Sequence, residues 1–109
     1  MLFRSRVLAH PASTGSITTS GNKEDFVSMG MTSALKLQRV VRNTRNVLAI
    51  EALAAARALD LLAPLKTSPA LEGIRSKIRA ASPAIAGDRP FYRDIAAIEA
   101  LVAAEGLLV

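Results

Sequence analysis

The chain has 109 residues, of which 50% are hydrophobic, 4% aromatic and 21% charged, and 14 basic against 9 acidic residues give a formal net charge of +5. That length fits one small domain or part of a larger one, and the apolar fraction excludes an intrinsically disordered chain. Cysteine is absent, and His10 is the single histidine. Disulfide frameworks, thiolate nucleophiles and sites with paired imidazoles are therefore excluded, and we expect no metal site.

The positive charge permits contact with nucleic acid or an anionic membrane without requiring either. Basic residues are interleaved with apolar ones, which is typical of a solvated face with ordinary ion pairs. The most apolar stretch, residues 47–63, contains Glu51, Arg57 and Asp60 and is shorter than the ~20 residues that span a bilayer. The first six residues carry two arginines where a signal peptide would be apolar. We therefore predict a cytoplasmic protein with no membrane and no nucleic-acid partner.

Two segments with different composition are predicted. Residues 1–24 form a loop-rich N-terminal segment, because residues 11–21 are rich in serine, threonine and glycine, which favour turns. Residues 25–109 form a helical bundle segment. A loop as long as the first segment is uncommon in a compact domain and is usually functional or mobile.

A long helix is predicted from about Phe26 to Leu62, with Asp25 as its N-cap and Pro64 as its stop. At 1.5 Å per residue it makes a rod of roughly 55 Å. Its apolar residues recur at spacings of three, four and seven: Val27, Met31, Ala34, Val41, Leu48, Ala52, Ala55, Leu59 and Leu62. From Val47 onward it is apolar nearly all round, so it needs neighbours on every side.

Two shorter helices follow. Ser68 and Pro69 predict an N-cap and first helical residue, for a helix that ends before Pro83. Another helix is predicted from about Asp94 to Glu105 and stopped by Gly106. Their apolar faces comprise Leu71, Ile74 and Ile78 in the first, and Ile95, Ile98, Leu101 and Val102 in the second. The fold class is thus all-α, a long central helix plus shorter helices. Since two short helices cannot cover the rod, we expect the chain to self-associate or to belong to a larger bundle.

Two further patterns have plain structural interpretations. His10, Ser13 and Asp25 have the residue types of a hydrolase triad, but no nucleophile elbow surrounds them, and loop hydrogen bonds explain them better. Basic residues at steps of three fan over about 180° of a helix rather than forming one stripe, and no aromatic residues are interleaved for base stacking. These basic residues are Lys36, Arg39, Arg42 and Arg45. A basic nucleic-acid-binding helical protein is the weaker alternative function.

The run Asn22-Lys23-Glu24-Asp25 places two carboxylates, an amide and an ammonium where the polar loop meets the predicted helix. Helix N-termini favour anionic groups, so a simple cap, worth about 0.5–2 kcal/mol, is one interpretation. A substrate-binding site is the other interpretation.

Several blocks in order resemble one enzyme family. They are residues 8–13 (LAHPAS), 19–30 (TSGNKEDFVSMG), 43–51 (NTRNVLAIE) and 63–68 (APLKTS). Together they closely resemble the C-terminal region of histidine ammonia-lyases, members of the aromatic amino acid ammonia-lyases. The resemblance implies part of a larger ammonia-lyase helical bundle. It also implies a homotetramer that converts L-histidine to trans-urocanate and ammonia in histidine catabolism.

The same resemblance implies an electrophilic methylidene-imidazolone group, which these enzymes form from an internal Ala-Ser-Gly. No Ala-Ser-Gly occurs in this chain, and Ala12-Ser13-Thr14 is the nearest run. We therefore expect no cofactor in this chain itself, and we expect the chain alone to be inactive. The remaining lyase polypeptide is the expected partner.

One family position carries over. The family motif reads Asn-Gln-Glu-Asp, and the resemblance implies that its Glu belongs to the active site. Glu24 matches this Glu. Asn22 and Lys23 are neighbouring candidates for substrate binding. A carboxylate suits a substrate imidazole, because it accepts the N–H or exchanges a proton with it. Lys23 replaces the family's Gln, and its ammonium can pair with Glu24 or displace an amide contact. A non-catalytic helical oligomerisation or interaction module derived from the lyase stays open as an alternative.

Overall fold

The computed structural model describes residues 2–84 and 86–107, with side chains from residue 5 onward. The prediction of an all-α chain is confirmed, because no β-strand occurs among these described residues. The structure comprises four α-helices, α1 (Leu2–Ala9), α2 (Gly30–Leu61), α3 (Pro69–Ala81) and α4 (Tyr92–Ala103), and a 3-10 turn at Ala12–Gly15. None of the helices described is both long and apolar enough to cross a membrane.

The chain divides into two compact units, residues 1–42 and 43–109. The first unit contains α1, the 3-10 turn, a long connection and the first part of α2. Helix α1 and the 3-10 turn lie within the segment 1–24 that the sequence predicts to be loop-rich. The second unit contains the rest of α2 with α3 and α4.

Helix α2 begins at Gly30, four residues after the predicted start at Phe26. The backbone N–H of Val27 donates to Ser16 Oγ at 2.9 Å, which ties this segment to the preceding loop. Met29 has φ 51°, a left-handed conformation that cannot continue a right-handed helix. The predicted N-cap role of Asp25 is therefore wrong, because Gly30, the first residue of α2, lies five positions further along the chain.

The core of the second unit lies along one face of α2. Ala49, Leu53 and Ala56, at spacings of four and three, are buried with Ile78 of α3 and Ile98 of α4. Several other apolar residues of α2 within the second unit stay solvent-accessible, so α3 and α4 cover only part of this stretch of the helix. Exposed apolar side chains of α2 include Met31, Leu35, Leu37, Val40, Val41, Val47, Leu48, Ile50 and Leu61.

Helix α3 starts as predicted. Ser68 is its N-cap, its Oγ accepts from the backbone N–H of Leu71 at 3.4 Å, and Pro69 is the first helical residue. The helix ends at Ala81, two residues before Pro83.

Helix α4 begins at Tyr92 and ends at Ala103, two residues before each predicted boundary. Its end is a Schellman motif, in which Gly106 N–H donates to Leu101 O at 2.8 Å and Glu105 N–H donates to Val102 O at 3.2 Å. Glu105, with φ 55°, takes the left-handed position that glycine usually fills. Gly106 follows that position instead of occupying it.

Candidate active-site turn

The predicted site residues lie in a tight turn in the first unit. Thr19 and Glu24 form an antiparallel bridge, in which Thr19 N–H donates to Glu24 O at 3.0 Å and Glu24 N–H donates to Thr19 O at 3.3 Å. The side chains are also joined, because Thr19 Oγ1 donates to Glu24 Oε2 at 3.3 Å. Four residues, 20–23, close the turn between them.

Three consecutive residues of this turn are left-handed: Ser20 (φ 55°), Gly21 (φ 63°) and Asn22 (φ 67°). Glycine and asparagine tolerate this conformation, whereas for serine it costs on the order of 1–3 kcal/mol. An ideal Cβ built on Gly21 meets no atom within 4 Å, so backbone conformation, not space, favours glycine there. The turn therefore stores strain next to the candidate carboxylate, which is common at functional sites.

The turn brings Asn22, Lys23 and Glu24 together at an exposed surface. Lys23 forms no ion pair with Glu24 among the described residues, and the carboxylate contacts Thr19 instead. The capping interpretation of this run is wrong, because Glu24 precedes the first residue of α2 by six positions. The roles of Asn22 and Lys23 stay predictions.

A second contact encloses the turn. Ser16 Oγ accepts from the backbone N–H of Val27, so the chain is tied once at residues 16 and 27 and again at residues 19 and 24. The sequence did not single out Ser16 or Thr19. Their only signal was the serine and threonine content of residues 11–21, which indicates loop hydrogen bonds without naming the pairs.

The residues of the hydrolase-like trio do not form a triad. Ser13 lies in the 3-10 turn, and His10 and Asp25 are exposed. No hydrogen bond between these three side chains occurs in the described part of the chain. The 3-10 turn is instead held by a hydrogen bond from Thr14 Oγ1 to Pro11 O at 2.9 Å.

A polar cluster in the second unit joins α2 to α3. Arg75 donates to Asp60 Oδ1 from Nε at 3.2 Å and from Nη2 at 2.8 Å, and Arg79 Nη2 lies 2.7 Å from Asp60 Oδ2. Arg75 Nη1 also donates to Glu72 Oε2 at 3.0 Å. Hydrogen bonds from Arg75 are the main reason that the pKa of Asp60 is lowered; the guanidinium of Arg79 acts in the same direction, and burial acts in the opposite one. Each acid in this cluster is paired, so its role is structural.

A second paired acid holds the connection between α3 and α4. Asp94 Oδ1 accepts from the buried Ser82 Oγ at 2.6 Å and from Arg89 Nη2 at 2.6 Å. Arg89 Nη2 also donates to the carbonyl oxygen of Pro83 at 3.2 Å. The Ser82 hydroxyl is the main reason that the pKa of Asp94 is lowered, while burial acts in the opposite direction. This arrangement too is structural, since the carboxylate of Asp94 and the guanidinium of Arg89 neutralise each other.

The helical fold and the turn belong to a known class of protein. Residues 1–80 match the aromatic amino acid lyase family, and the chain belongs to that family. More particularly, it is similar to histidine ammonia-lyases. It is 64% identical over 94% of its length to one from Koribacter versatilis and 48% identical over 94% to one from Anaeromyxobacter dehalogenans. It spans about a fifth of the length of these relatives.

Solved structures agree with this assignment. A crystal structure of histidine ammonia-lyase from Trypanosoma cruzi matches 97% of this chain with a TM-score of 0.90 and 40% identity, and the match covers 21% of that protein. Tyrosine aminomutase from Streptomyces globisporus matches 98% of this chain with a TM-score of 0.87 and 33% identity, and 20% of that protein is covered. The expected ammonia-lyase-type helical fold is therefore confirmed.

Proposed function

We propose that this chain forms part of a histidine ammonia-lyase and supplies the Glu24 carboxylate to its active site. The observation that carries the proposal is the turn itself, which holds Glu24 by its backbone and its side chain, outside any helix terminus. A carboxylate held in this way can accept the N–H of the imidazole of L-histidine or exchange a proton with it. The products would be trans-urocanate and ammonia, in histidine catabolism.

Sequence identity to named relatives supports L-histidine, rather than another amino acid, as the substrate. Proteins named histidine ammonia-lyase are 64% and 40% identical to this chain, against 33% for the tyrosine aminomutase. The resemblance also supports it, because it implies that Glu24 matches the Glu of the Asn-Gln-Glu-Asp motif, and that phenylalanine-specific members of the family have an amide at this position.

The methylidene-imidazolone group of the family does not fit the residues of this chain. Its nearest candidate run, Ala12-Ser13-Thr14, lies in a 3-10 turn without buried residues. Thr14 stands where the ring-forming glycine is needed, and its hydroxyl is engaged with the carbonyl oxygen of Pro11. We therefore assign the electrophile to further lyase polypeptide. The role that we assign to this chain is substrate binding and proton transfer by Glu24.

Exposed apolar surface supports an assembly. Met31, Leu35 and Leu61 of α2 are 75%, 57% and 69% exposed. Burial of apolar surface contributes about 25 cal/mol per Å², so covering a few hundred Å² strongly favours association. The partner that we propose is further lyase polypeptide or other copies of this chain.

Complementation tests the proposal. The purified chain is mixed or co-expressed with the Ala-Ser-Gly-containing remainder of a histidine ammonia-lyase, and urocanate formation is followed by absorbance. We expect no turnover by the chain alone and turnover by the assembly. An assembly that forms without turnover would instead support the non-catalytic interaction module.

Within an active assembly, Glu24→Gln keeps the size and a hydrogen-bond acceptor but removes the charge and the exchangeable proton. A general acid–base role predicts a loss of about 10²–10⁴-fold in turnover, whereas a merely structural role tolerates the change within about 1 kcal/mol. Asp88→Asn, at an exposed position outside the family match, is the control. Lys23→Gln restores the family's residue and should leave activity equal or higher. Unchanged turnover and histidine affinity in Glu24→Gln would reject the assignment.

A further inference from the structure

The bridge places the side chains of Thr19 and Glu24 side by side. The two residues exchange both backbone hydrogen bonds, at 3.0 and 3.3 Å, and thus form a hydrogen-bonded antiparallel pair. Directly opposite residues in such a pair carry their side chains on the same face. The Thr19 hydroxyl accordingly reaches Glu24 Oε2 at 3.3 Å.

We propose that Thr19 is a positioning residue for Glu24: its hydroxyl occupies Oε2 and so presents Oε1 to the substrate. The proposal rests on the proposed function of Glu24 and adds the residue that orients its carboxylate. A threonine suits this task, because its branched Cβ restricts χ1 and thus holds the donor in place. The glutamate, in contrast, is exposed and long, and loses side-chain entropy when it adopts one geometry.

The two carboxylate oxygens of Glu24 have different surroundings. Oε2 accepts from Thr19, whereas no described residue provides a hydrogen bond to Oε1. An ionised carboxylate accepts on both oxygens, so Oε1 keeps its capacity for an imidazole N–H. Thr19 thereby gives the two oxygens different roles: Oε2 is held by the Thr19 hydroxyl, and Oε1 binds the substrate.

The distance of 3.3 Å is longer than the usual 2.7–2.8 Å of an O–H···O hydrogen bond. Contacts of catalytic groups are often long before substrate binds and shorten in the complex. A hydrogen bond of this kind contributes modestly, and its removal is expected to lower kcat/KM of the assembly by about two- to tenfold.

Nuclear magnetic resonance of the 109-residue chain tests the orientation without any activity. Three-bond couplings of Glu24 report whether its χ1 adopts one rotamer or averages over several. Thr19→Val removes the hydroxyl at constant shape and should average these couplings, while Thr19→Ser keeps the hydroxyl and should preserve them. Thr18→Val makes the same change at the exposed neighbouring residue and should leave them unaltered. Identical Glu24 couplings in the wild type and Thr19→Val would overturn the proposal.

Kinetics of the active assembly test the consequence. Thr19→Val should lower kcat/KM about two- to tenfold, Thr19→Ser should restore it, and Thr18→Val should leave it unchanged. In a Glu24→Ala background, Thr19→Val should cause no additional loss, because the residue acts through the carboxylate. An equal loss in both backgrounds would overturn the proposal. The Glu24→Ala variant alone tests the proposed function of Glu24. Unchanged activity in that variant would reject the role of Glu24, and this result is distinct from one that rejects the role of Thr19.

Discussion

Asp60→Asn tests how far the α2–α3 ion cluster stabilises the second unit. Asp60 is 13% exposed in its side chain and binds Arg75 and Arg79, whose side chains are 33% and 14% exposed. Asparagine keeps one acceptor oxygen but removes the charge that compensates Arg79. Leaving a largely buried polar group without its partner costs about 1–3 kcal/mol. For a chain of this size that corresponds to a fall in Tm of roughly 4–12 °C.

Thermal and urea unfolding, followed by circular dichroism at one protein concentration, measures this loss. Asp88→Asn removes a carboxylate from an exposed loop position and should stay within about 0.5 kcal/mol of the wild type. Equal stability of the Asp60→Asn and Asp88→Asn variants would refute the reasoning, because it would mean that Asp60 does not stabilise the contact between α2 and α3.

The same variant has a signature in acid. The pKa of Asp60 is lowered in the folded chain, chiefly by hydrogen bonds from Arg75, so the unfolded chain binds the proton more readily. Its stabilisation is therefore complete above the ordinary carboxylate pKa of about 4 and is lost as the pH falls below that value. The wild type should lose stability more steeply below pH about 4 than Asp60→Asn does. The pKa of Glu72 is also lowered, chiefly by the hydrogen bond from the Thr67 N–H. Glu72 therefore contributes to the loss of stability in acid in both the wild type and the Asp60→Asn variant.

Two further predictions concern packing and the end of α4. Leu53→Ala removes a side chain that is 7% exposed and should lower the free energy of unfolding, measured in urea, by about 2–5 kcal/mol. Leu48→Ala, at a residue that is 46% exposed, should lower it by only about 1 kcal/mol. Equal losses would contradict the observed buried face of α2. Glu105→Gly removes the steric strain of a side chain at a left-handed position and should raise the free energy of unfolding by up to about 1 kcal/mol. The control Glu99→Gly, within α4, should lower it by about 1 kcal/mol. A destabilised Glu105→Gly variant would show that the strain is not there.

Local signals in the sequence were sufficient where adjacent residues determine an element without distant contacts. Ser68 and Pro69 predicted the start of α3, because a hydroxyl cap and a proline at the first position satisfy the helix terminus without help from elsewhere. Periodicity likewise predicted α2 and its apolar excess. The start of α2 was missed by four residues, since it depends on the left-handed Met29 and on the hydrogen bond from Val27 to Ser16, which lies eleven residues earlier in the chain.

The sequence by itself determined the all-α class, the long helix with more apolar surface than its short neighbours cover, and the family that the four ordered blocks resemble, because periodicity, composition and ordered motifs are properties of the chain. Only the tertiary structure decided that Glu24 lies in a tight turn rather than at a helix terminus, and that Thr19 contacts its carboxylate. It also decided which acids are paired, as for Asp60. The physical reason is that hydrogen bonds and ion pairs depend on distances below about 4 Å, and spacing along a folded chain does not specify those distances.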